Sequence, residues 1–305
     1  MKQYILNEFR LRIQEQNLNL YGIVIKQDGK RLEHRFRSDD KVNIYSASKS
    51  VTALAIGILI DENKIALTDR LIDFFPDYQE SMAKGTEQIT IRDLLQMRSG
   101  KLDFFGDFRF KQQDNIDVFM KHPVEVASGS KFCYSNGCTH MLSRIVEKVS
   151  GQTLRDFLVP KLFSVLEIEN PQWFSCYYGH TMGASGLFLT TEELSRIGEV
   201  FLNEGRYNET EIVSASFIKA CYTDAILTGY EEQLNNGSHY GYQVWLGEAL
   251  GTYRLDGMYG QFSIIFPEEH ATVTITAHEE TKTNEILSAV YQDILPHLKN
   301  NDPIE

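Results

Sequence analysis

The alternation of apolar and polar residues predicts β-strands near both ends of the chain. Residues 20–26 are rich in β-forming side chains, Asp28-Gly29 is typical of a hairpin turn, and residues 31–37 alternate like a returning strand. Towards the other end, strands are predicted at residues 240–246, 252–255, 261–266 and 272–277. Strands at both ends with helices between them favour one antiparallel sheet built from the two ends.

Helical periodicity accounts for much of the remaining chain. Helices are predicted at residues 3–16, 91–97, 138–149 and 154–166, after a cap at Thr190, and at residues 284–298, with Pro160 breaking or kinking the fourth. An aromatic patch is either core or the wall of an apolar pocket: Phe104, Phe105, Phe108 and Phe110. We predict an α/β subdomain from residues 1–66 and 190–305 and a helical subdomain from residues 67–189, in one compact unit.

The composition is that of an ordinary globular protein, and 305 residues are enough to bury a substantial core. The 42 acidic residues outnumber the 30 basic ones, which argues against nucleic acid or an anionic membrane surface as a partner. The sequence has no long apolar run, and its N-terminus lacks the apolar segment of a signal peptide, so a cytoplasmic location is expected. The cysteines fit no metal-site spacing and are expected to be reduced thiols: Cys133, Cys138, Cys176 and Cys221.

Residues 45–60 contain the first candidate catalytic residues, because Ser46 and Lys49 lie at the start of an almost wholly apolar helix. Residues three apart share a helix face, so the hydroxyl and the amine can meet. A helix that is apolar all round is buried, and burial makes a lysine lose its proton more easily. A neutral amine can accept the proton of a serine hydroxyl, which is the arrangement of a nucleophile beside its base.

The Ser-x-x-Lys pattern alone does not decide the matter, because it occurs five times. The other pairs are Ser38 with Lys41 in a charged loop, Ser81 with Lys84, Ser128 with Lys131 in a turn, and Ser216 with Lys219 on a surface helix. Only Ser46 leads into a buried helix. On spacing and context alone, a nucleophile and a structural helix N-cap both remain open for Ser46.

Tyr134-Ser135-Asn136 supplies a second candidate motif, because no other Tyr-x-Asn occurs in the chain. A tyrosine near a cationic lysine is expected to have a lowered pKa and can serve as general acid or base. The asparagine offers both a donor and an acceptor to a substrate or to the lysine. An aromatic staple and a helix N-cap remain the structural alternatives.

Gly257-Met258-Tyr259-Gly260-Gln261 joins two predicted strands and supplies the third candidate. Glycines allow the backbone to come close to a ligand, and an unpaired strand N–H is the donor that an oxyanion needs. A tight hairpin explains the same residues equally well.

In this order, Ser46-x-x-Lys49, Tyr134-Ser135-Asn136 and a glycine strand near the C-terminus resemble the motifs of the penicillin-recognising serine hydrolases. The tyrosine makes the chain similar to the class C branch. That branch includes class C β-lactamases, D-alanyl-D-alanine carboxypeptidases, D-aminopeptidases, family VIII esterases and 6-aminohexanoate oligomer hydrolases. The resemblance covers nearly the whole chain, since residues 91–100, 184–190 and 240–245 also match the family's pattern.

The resemblance implies an α/β fold of the β-lactamase/transpeptidase type, with an antiparallel sheet flanked by helices, an all-helical subdomain and the site between them. By motif, Ser46 is the nucleophile and Lys49 its proton acceptor. Tyr134 passes a proton to the leaving group and then activates the deacylating water, while Asn136 positions Lys49 and the substrate carbonyl. The oxyanion hole would be the backbone N–H groups of Ser46 and Met258. No metal or organic cofactor is implied.

The third motif departs from the family's usual Lys-Thr-Gly or His-x-Gly and reads Leu255-Asp256-Gly257. The anionic Asp256 should repel a substrate carboxylate, whereas neutral esters would escape that repulsion and amine-bearing substrates would gain. Arg254 would oppose this effect if the strand turned its side chain towards the site. The run Gly257-Met258-Tyr259-Gly260-Gln261, followed by Phe266-Pro267-Glu268, resembles the esterase and 6-aminohexanoate-hydrolase side of the family more closely.

The expected function is a serine hydrolase that cleaves small ester, amide or short peptide substrates through a Ser46 acyl-enzyme. One alternative is a D-alanyl-D-alanine carboxypeptidase or β-lactamase-like penicillin-binding protein, which the missing signal peptide disfavours. The other is a non-catalytic binding protein of the same fold, which the intact Ser46, Lys49 and Tyr134 disfavour. The sequence leaves the physiological substrate and the oligomeric state open.

Overall fold

The structure is a computed structural model that describes residues 4–102, 104, 114–230, 237–247 and 251–300. Its α-helices are α1 (Tyr4–Glu15), α2 (Ser48–Asp61), α3 (Leu71–Phe74), α4 (Ile91–Leu95), α5 (Asn115–Lys121), α6 (Asn136–Ser150), α7 (Leu154–Leu158), α8 (Thr191–Leu202), α9 (Ala215–Thr223), α10 (Thr283–Ala289) and α11 (Leu295–Lys299). Short 3-10 turns lie at Tyr45–Ala47, Pro76–Tyr78 and Thr86–Gln88, and π-helical turns at Val159–Phe163 and Val290–Ile294.

An eight-stranded antiparallel sheet runs through the middle of the protein. The strands are β1 (Leu20–Gln27), β2 (Lys30–Arg35), β3 (Val42–Asn43), β4 (Gln172–Trp173), β5 (Leu187–Leu189), β6 (Arg206–Tyr207), β7 (Thr210–Glu211), β8 (Ile226–Leu227), β9 (His239–Tyr240), β10 (Trp245–Leu246), β11 (Tyr253–Gly257), β12 (Gln261–Phe266) and β13 (Ala271–Ala277). Eight of these strands form the large sheet, in the order β2-β1-β13-β12-β11-β10-β9-β8. The predicted sheet built from both chain ends is therefore confirmed.

Helices cover both faces of this sheet. On one face, α1, α10 and α11 pack over an apolar cluster that includes Phe9, Ile25 and Val273. On the other face, α8 packs against β1, β12 and β13, and the second apolar cluster continues from there into α2, α6 and α7. The site described below lies where the C-terminal end of β11 meets the turn that precedes α2.

Helix α2 has no polar face because it is enclosed on all sides. Every residue from Ser48 to Leu59 is buried, and the helix packs against α6, α7 and β11. A uniformly apolar helix is stable only in such surroundings, as its sequence predicts. Lys49 therefore lies in the protein interior, with 1% of its surface exposed.

The helix begins later than its sequence suggests. Ser46 lies in the 3-10 turn Tyr45–Ala47, and α2 starts at Ser48. Tyr45 has a φ of 47°, a conformation that is uncommon for residues other than glycine. The Asn43 side chain holds this turn, since its Oδ1 accepts hydrogen bonds from the Tyr45 and Gly186 N–H groups.

The predicted strand at residues 240–246 is wrong in its middle. The chain makes two short strands, β9 and β10, separated by a turn at residues 241–244. A Cβ at Gly241 would lie 1.7 Å from the Cys221 carbonyl oxygen, and Gln243 has a φ of 60°. Apolar patterning reports burial rather than strand pairing, and the residues of this turn are buried without being extended.

The other predicted elements hold with shifted ends. Helix α7 ends at Leu158, and Pro160 lies in the π-helical turn that follows, because a proline has no N–H to continue an α-helix. Phe104 is buried against Phe119, whereas Phe105, Phe108 and Phe110 lie outside the described residues. The division into subdomains at the predicted boundaries stays a prediction.

Candidate active site

The side chains of Ser46 and Lys49 meet as their spacing predicts. Lys49 Nζ lies 2.9 Å from Ser46 Oγ. The same nitrogen donates to Asn136 Oδ1 at 2.7 Å and to the Ala184 carbonyl oxygen at 2.8 Å. When the amine is neutral, its two N–H bonds to Asn136 and Ala184 leave the lone pair directed at the Ser46 hydroxyl.

Burial sets the protonation state of Lys49. Removal from water lowers the pKa of Lys49 to about 7, because the charged form loses its hydration, and the nearby Asp256 carboxylate opposes part of this shift. A large fraction of this lysine is therefore neutral near pH 7, when an exposed lysine is fully protonated. The amine can act as a base at Ser46.

The N-cap alternative for Ser46 is not what the structure shows. The N-cap position of α2 is Ala47, which makes no side-chain capping hydrogen bond. The other four motif serines lie elsewhere: Ser38 bonds to Asp40, Ser128 to Asp93 and Ser216 to Ser214, while Ser81 and Lys84 are both exposed. Ser46 is thus the motif serine whose hydroxyl contacts a buried lysine.

Asn136 is not the N-cap of helix α6, which was the structural alternative for this residue. Ser135 is the N-cap of α6 and its Oγ accepts hydrogen bonds from the N–H groups of Gly137 and Cys138. Because Ser135 caps the helix, the Asn136 side chain is available to accept from Lys49. The helix start thereby fixes one of the two groups that orient the amine.

Tyr134 lies beside Lys49, but the expected lowering of its pKa is wrong. Its ring centroid is 5.0 Å from Lys49 Nζ, and its hydroxyl is close enough to the Ser46 side chain for Ser46 to lower its pKa. Burial raises the pKa of Tyr134, and this exceeds the opposing effect of Ser46. Beside a neutral lysine, the buried phenol of Tyr134 keeps its proton. Tyr134 is therefore suited to act first as a proton donor.

The third motif comes close to the turn that carries Ser46 because Gly257 has no side chain. A Cβ at Gly257 would lie 2.2 Å from the Ile44 carbonyl oxygen and 3.2 Å from the Ala47 nitrogen. The backbone N–H groups of Ser46 and Met258 flank this contact, and neither has a hydrogen-bond acceptor among the described residues. They are suited to bind an oxyanion, and the residues 257–261 also form the predicted hairpin.

Arg254 and Asp256, two apart on β11, form an ion pair. Arg254 Nε lies 2.7 Å from Asp256 Oδ2; the Arg254 side chain is 2% exposed and that of Asp256 is 22% exposed. Arg254 is therefore buried behind Asp256, and the Asp256 carboxylate is the charged group of the pair that faces the cleft. Burial raises the pKa of Asp256 above its ordinary value, because the attraction of Arg254 and Lys49 opposes only part of this shift.

Three site residues escaped the sequence reasoning. Ala184 contributes only its carbonyl oxygen, and Trp245 stacks on Tyr134 with ring centroids 5.7 Å apart. Gln243 is buried and accepts from Thr139 on α6, while its backbone oxygen accepts from Ser50 on α2. Their segments match the family's pattern at residues 184–190 and 240–245, but the sequence assigns none of the three a role.

A methyl group at Gly257 should disrupt the oxyanion site. We expect Gly257→Ala to push β11 away from the Ile44–Ala47 turn and to lower the kcat of ester hydrolysis by about a hundredfold, the effect of losing one oxyanion donor. Gly251→Ala is the control, since its positive φ strains the backbone in open space. It should reduce the melting temperature while keeping kcat, and an unchanged kcat in Gly257→Ala would refute the oxyanion assignment.

In the part of the chain that the structure describes, no group of three His, Cys, Asp or Glu side chains is placed to hold a metal ion. Across the same residues, no helix combines the length and apolarity needed to cross a membrane.

Comparison with known proteins places this arrangement in context. The chain is 22% identical over 277 residues to the teichoic acid D-alanine hydrolase of Staphylococcus aureus (strain MRSA252), a match over 85% of this chain and 66% of that relative. The structure of EstCE1, a hydrolase with promiscuous acyltransferase activity, superimposes with a TM-score of 0.79 at 16% identity over 95% and 99% of the two chains. A presumed 6-aminohexanoate-dimer hydrolase from Bacillus anthracis gives a TM-score of 0.77 at 19% identity over 96% and 82%.

The curated relative is longer, and the chain spans about two thirds of its length. The structural matches show the fold, which is β-lactamase/transpeptidase-like, as the resemblance implied. The β-lactamase family profile matches residues 21–293, most of the sequence. The chain therefore belongs to the β-lactamase family.

Proposed function

We propose that the protein is a serine hydrolase that cleaves small ester or amide substrates through an acyl-enzyme on Ser46. One observation carries the proposal: a fully buried lysine, with a pKa lowered to about 7, lies 2.9 Å from the serine hydroxyl. The amine lies between two neutral oxygen acceptors and the Ser46 hydroxyl, so once neutral it can accept the hydroxyl proton.

In acylation, Ser46 Oγ bonds to the substrate carbonyl carbon and its proton passes to Lys49 Nζ. The carbonyl oxygen becomes an oxyanion, which the N–H groups of Ser46 and Met258 stabilise. The tetrahedral intermediate collapses when the leaving oxygen or nitrogen takes the Tyr134 proton. Lys49 returns its proton to the phenolate, so the site ends neutral with an ester on Ser46.

Deacylation uses the same groups in reverse. A water molecule adds to the acyl carbon, and its proton passes through the Tyr134 hydroxyl to Lys49. The second tetrahedral intermediate expels Ser46 Oγ, which takes a proton back from Lys49, and a carboxylic acid leaves. Each proton that Lys49 accepts is returned, so the reaction needs no cofactor.

The relatives support a hydrolase but differ in substrate. One is named as a teichoic acid D-alanine hydrolase, and the structural neighbour EstCE1 is a hydrolase with promiscuous acyltransferase activity. A carboxylate-bearing β-lactam or D-alanyl-D-alanine peptide would meet Asp256 at the end of β11. Like charges at a few ångström repel in a partly dry cleft, so neutral esters and amides fit better.

The pH dependence tests this proposal. Lys49 must be neutral to accept the Ser46 proton, so kcat/KM for p-nitrophenyl butyrate should rise with pH through an apparent pKa of about 7 and then level off. Tyr134→Phe should lower the plateau by about a hundredfold, the effect of one acid–base group. The variant should keep the rise near pH 7, because Lys49 remains. A profile that is flat from pH 5 to 9 would contradict the role of Lys49.

A further inference from the structure

We infer that Asp256 and the aromatic side chains beside Tyr134 form a subsite for a cationic, ammonium-type group on the leaving side of the substrate. The inference rests on the proposed function and specifies its substrate class. It concerns the residues that stand where related enzymes carry Lys-Thr-Gly or His-x-Gly.

The first support is the state of the Asp256 carboxylate. Its Oδ2 accepts from Arg254 Nε, whereas Oδ1 receives no hydrogen bond from any residue that the structure describes. Arg254 is buried beneath it, so the oxygen that a ligand can reach is anionic. A substrate ammonium placed there would gain a charge-assisted hydrogen bond without displacing a protein partner.

The second support is an aromatic wall next to this carboxylate. Trp245 pairs with Arg254 across the sheet and stacks on Tyr134, with Tyr240 edge-on to both rings. Phe132 contacts Tyr240 and Trp245, and the partly exposed Tyr230 extends the wall outwards. Aromatic faces attract cations, most strongly where water is excluded.

The position of Tyr134 decides which part of the substrate reaches this subsite. Tyr134 has to lie near the leaving atom to protonate it, and Trp245 and Asp256 lie on the same side. The acyl group is held by the oxyanion donors at Ser46 and Met258. A cation a few bonds beyond the leaving atom would therefore contact Asp256 and the aromatic wall.

Two acetate esters of matched shape test this inference: acetylcholine, whose leaving group carries a quaternary ammonium, and 3,3-dimethylbutyl acetate, its uncharged carbon isostere. Hydrolysis is followed by pH-stat at 0.1 M salt. We expect kcat/KM for acetylcholine to exceed that for the isostere by about tenfold or more, the range of one cation–π or ion contact. In Asp256→Asn the ratio should fall by about threefold or more, to the smaller preference that the aromatic wall gives alone, and because it is a ratio it does not depend on the fraction of active protein.

Two further variants control for charge and folding. Glu268→Gln removes the same unit charge from an exposed turn between β12 and β13, where salt screens it, and should keep the ratio. Arg254→Gln with Asp256→Asn removes both charges, so that no buried cation is left uncompensated, and should lower the ratio in the same way. A wild-type ratio near one, or a ratio that stays at the wild-type value in both Asp256 variants, would overturn the inference. Ester hydrolysis that depends on Ser46 but ignores charge would leave the proposed function standing, whereas hydrolysis undiminished in Ser46→Ala would overturn both.

Discussion

Replacing Ser46 by alanine is expected to reduce kcat/KM for p-nitrophenyl butyrate by about a millionfold, the loss that follows removal of a nucleophile that acts together with its base. The protein should stay folded, because Ser46 is only partly buried and caps no helix. Lys49 keeps its bonds to Asn136 and Ala184 in the variant. Circular dichroism and the melting temperature check folding beside the kinetic assay.

The matched controls are serines of the same Ser-x-x-Lys pattern. Ser128→Ala and Ser216→Ala should keep their activity, because Ser128 bonds to Asp93 in a turn and Ser216 lies on the surface helix α9. If either of these variants were inactive and Ser46→Ala were active, the assignment of the nucleophile would be wrong.

Lys49→Arg should be nearly as inactive as Lys49→Ala. A guanidinium keeps its proton far above neutral pH, so arginine cannot accept the Ser46 proton, even though it preserves a positive charge. The loss should reach at least the hundredfold to ten-thousandfold range of a missing general base, with the kcat/KM values of the two variants within about tenfold of each other.

The control for this substitution is Lys41→Arg, at the lysine of another Ser-x-x-Lys pair. Lys41 is bound to Glu193 and to the Glu169 carbonyl oxygen, away from the site, and its replacement should leave kcat/KM unchanged. Substantial activity in Lys49→Arg would show that a fixed charge is sufficient and that Lys49 transfers no proton.

Much of the fold could be predicted because local patterns report burial. The uniformly apolar α2 predicted a helix enclosed on all sides, and the strand patterns at both ends predicted the joint sheet. The predicted burial of α2 also led to the prediction of a base, since a lysine inside the helix has a lowered pKa. The failure at residues 240–246 has the same origin: buried residues in a turn and in a strand look alike in sequence.

The site could be predicted only as far as its motifs. Ser46, Lys49 and Asn136 meet as expected, but the protonation state of Tyr134 depends on its burial, which is a property of the folded cleft. The Arg254–Asp256 ion pair depends on which way β11 turns its side chains. The carbonyl of Ala184, 135 positions from Lys49, has no sequence signature.

The most direct test of a Ser46 nucleophile is the intact mass of the protein after reaction with a fluorophosphonate probe, followed by peptide mapping. We predict a single adduct on Ser46 that forms more slowly at pH 5.5 than at pH 8, because Lys49 is protonated at pH 5.5 and cannot accept the Ser46 proton. No adduct, or an adduct on a different serine, would contradict the account.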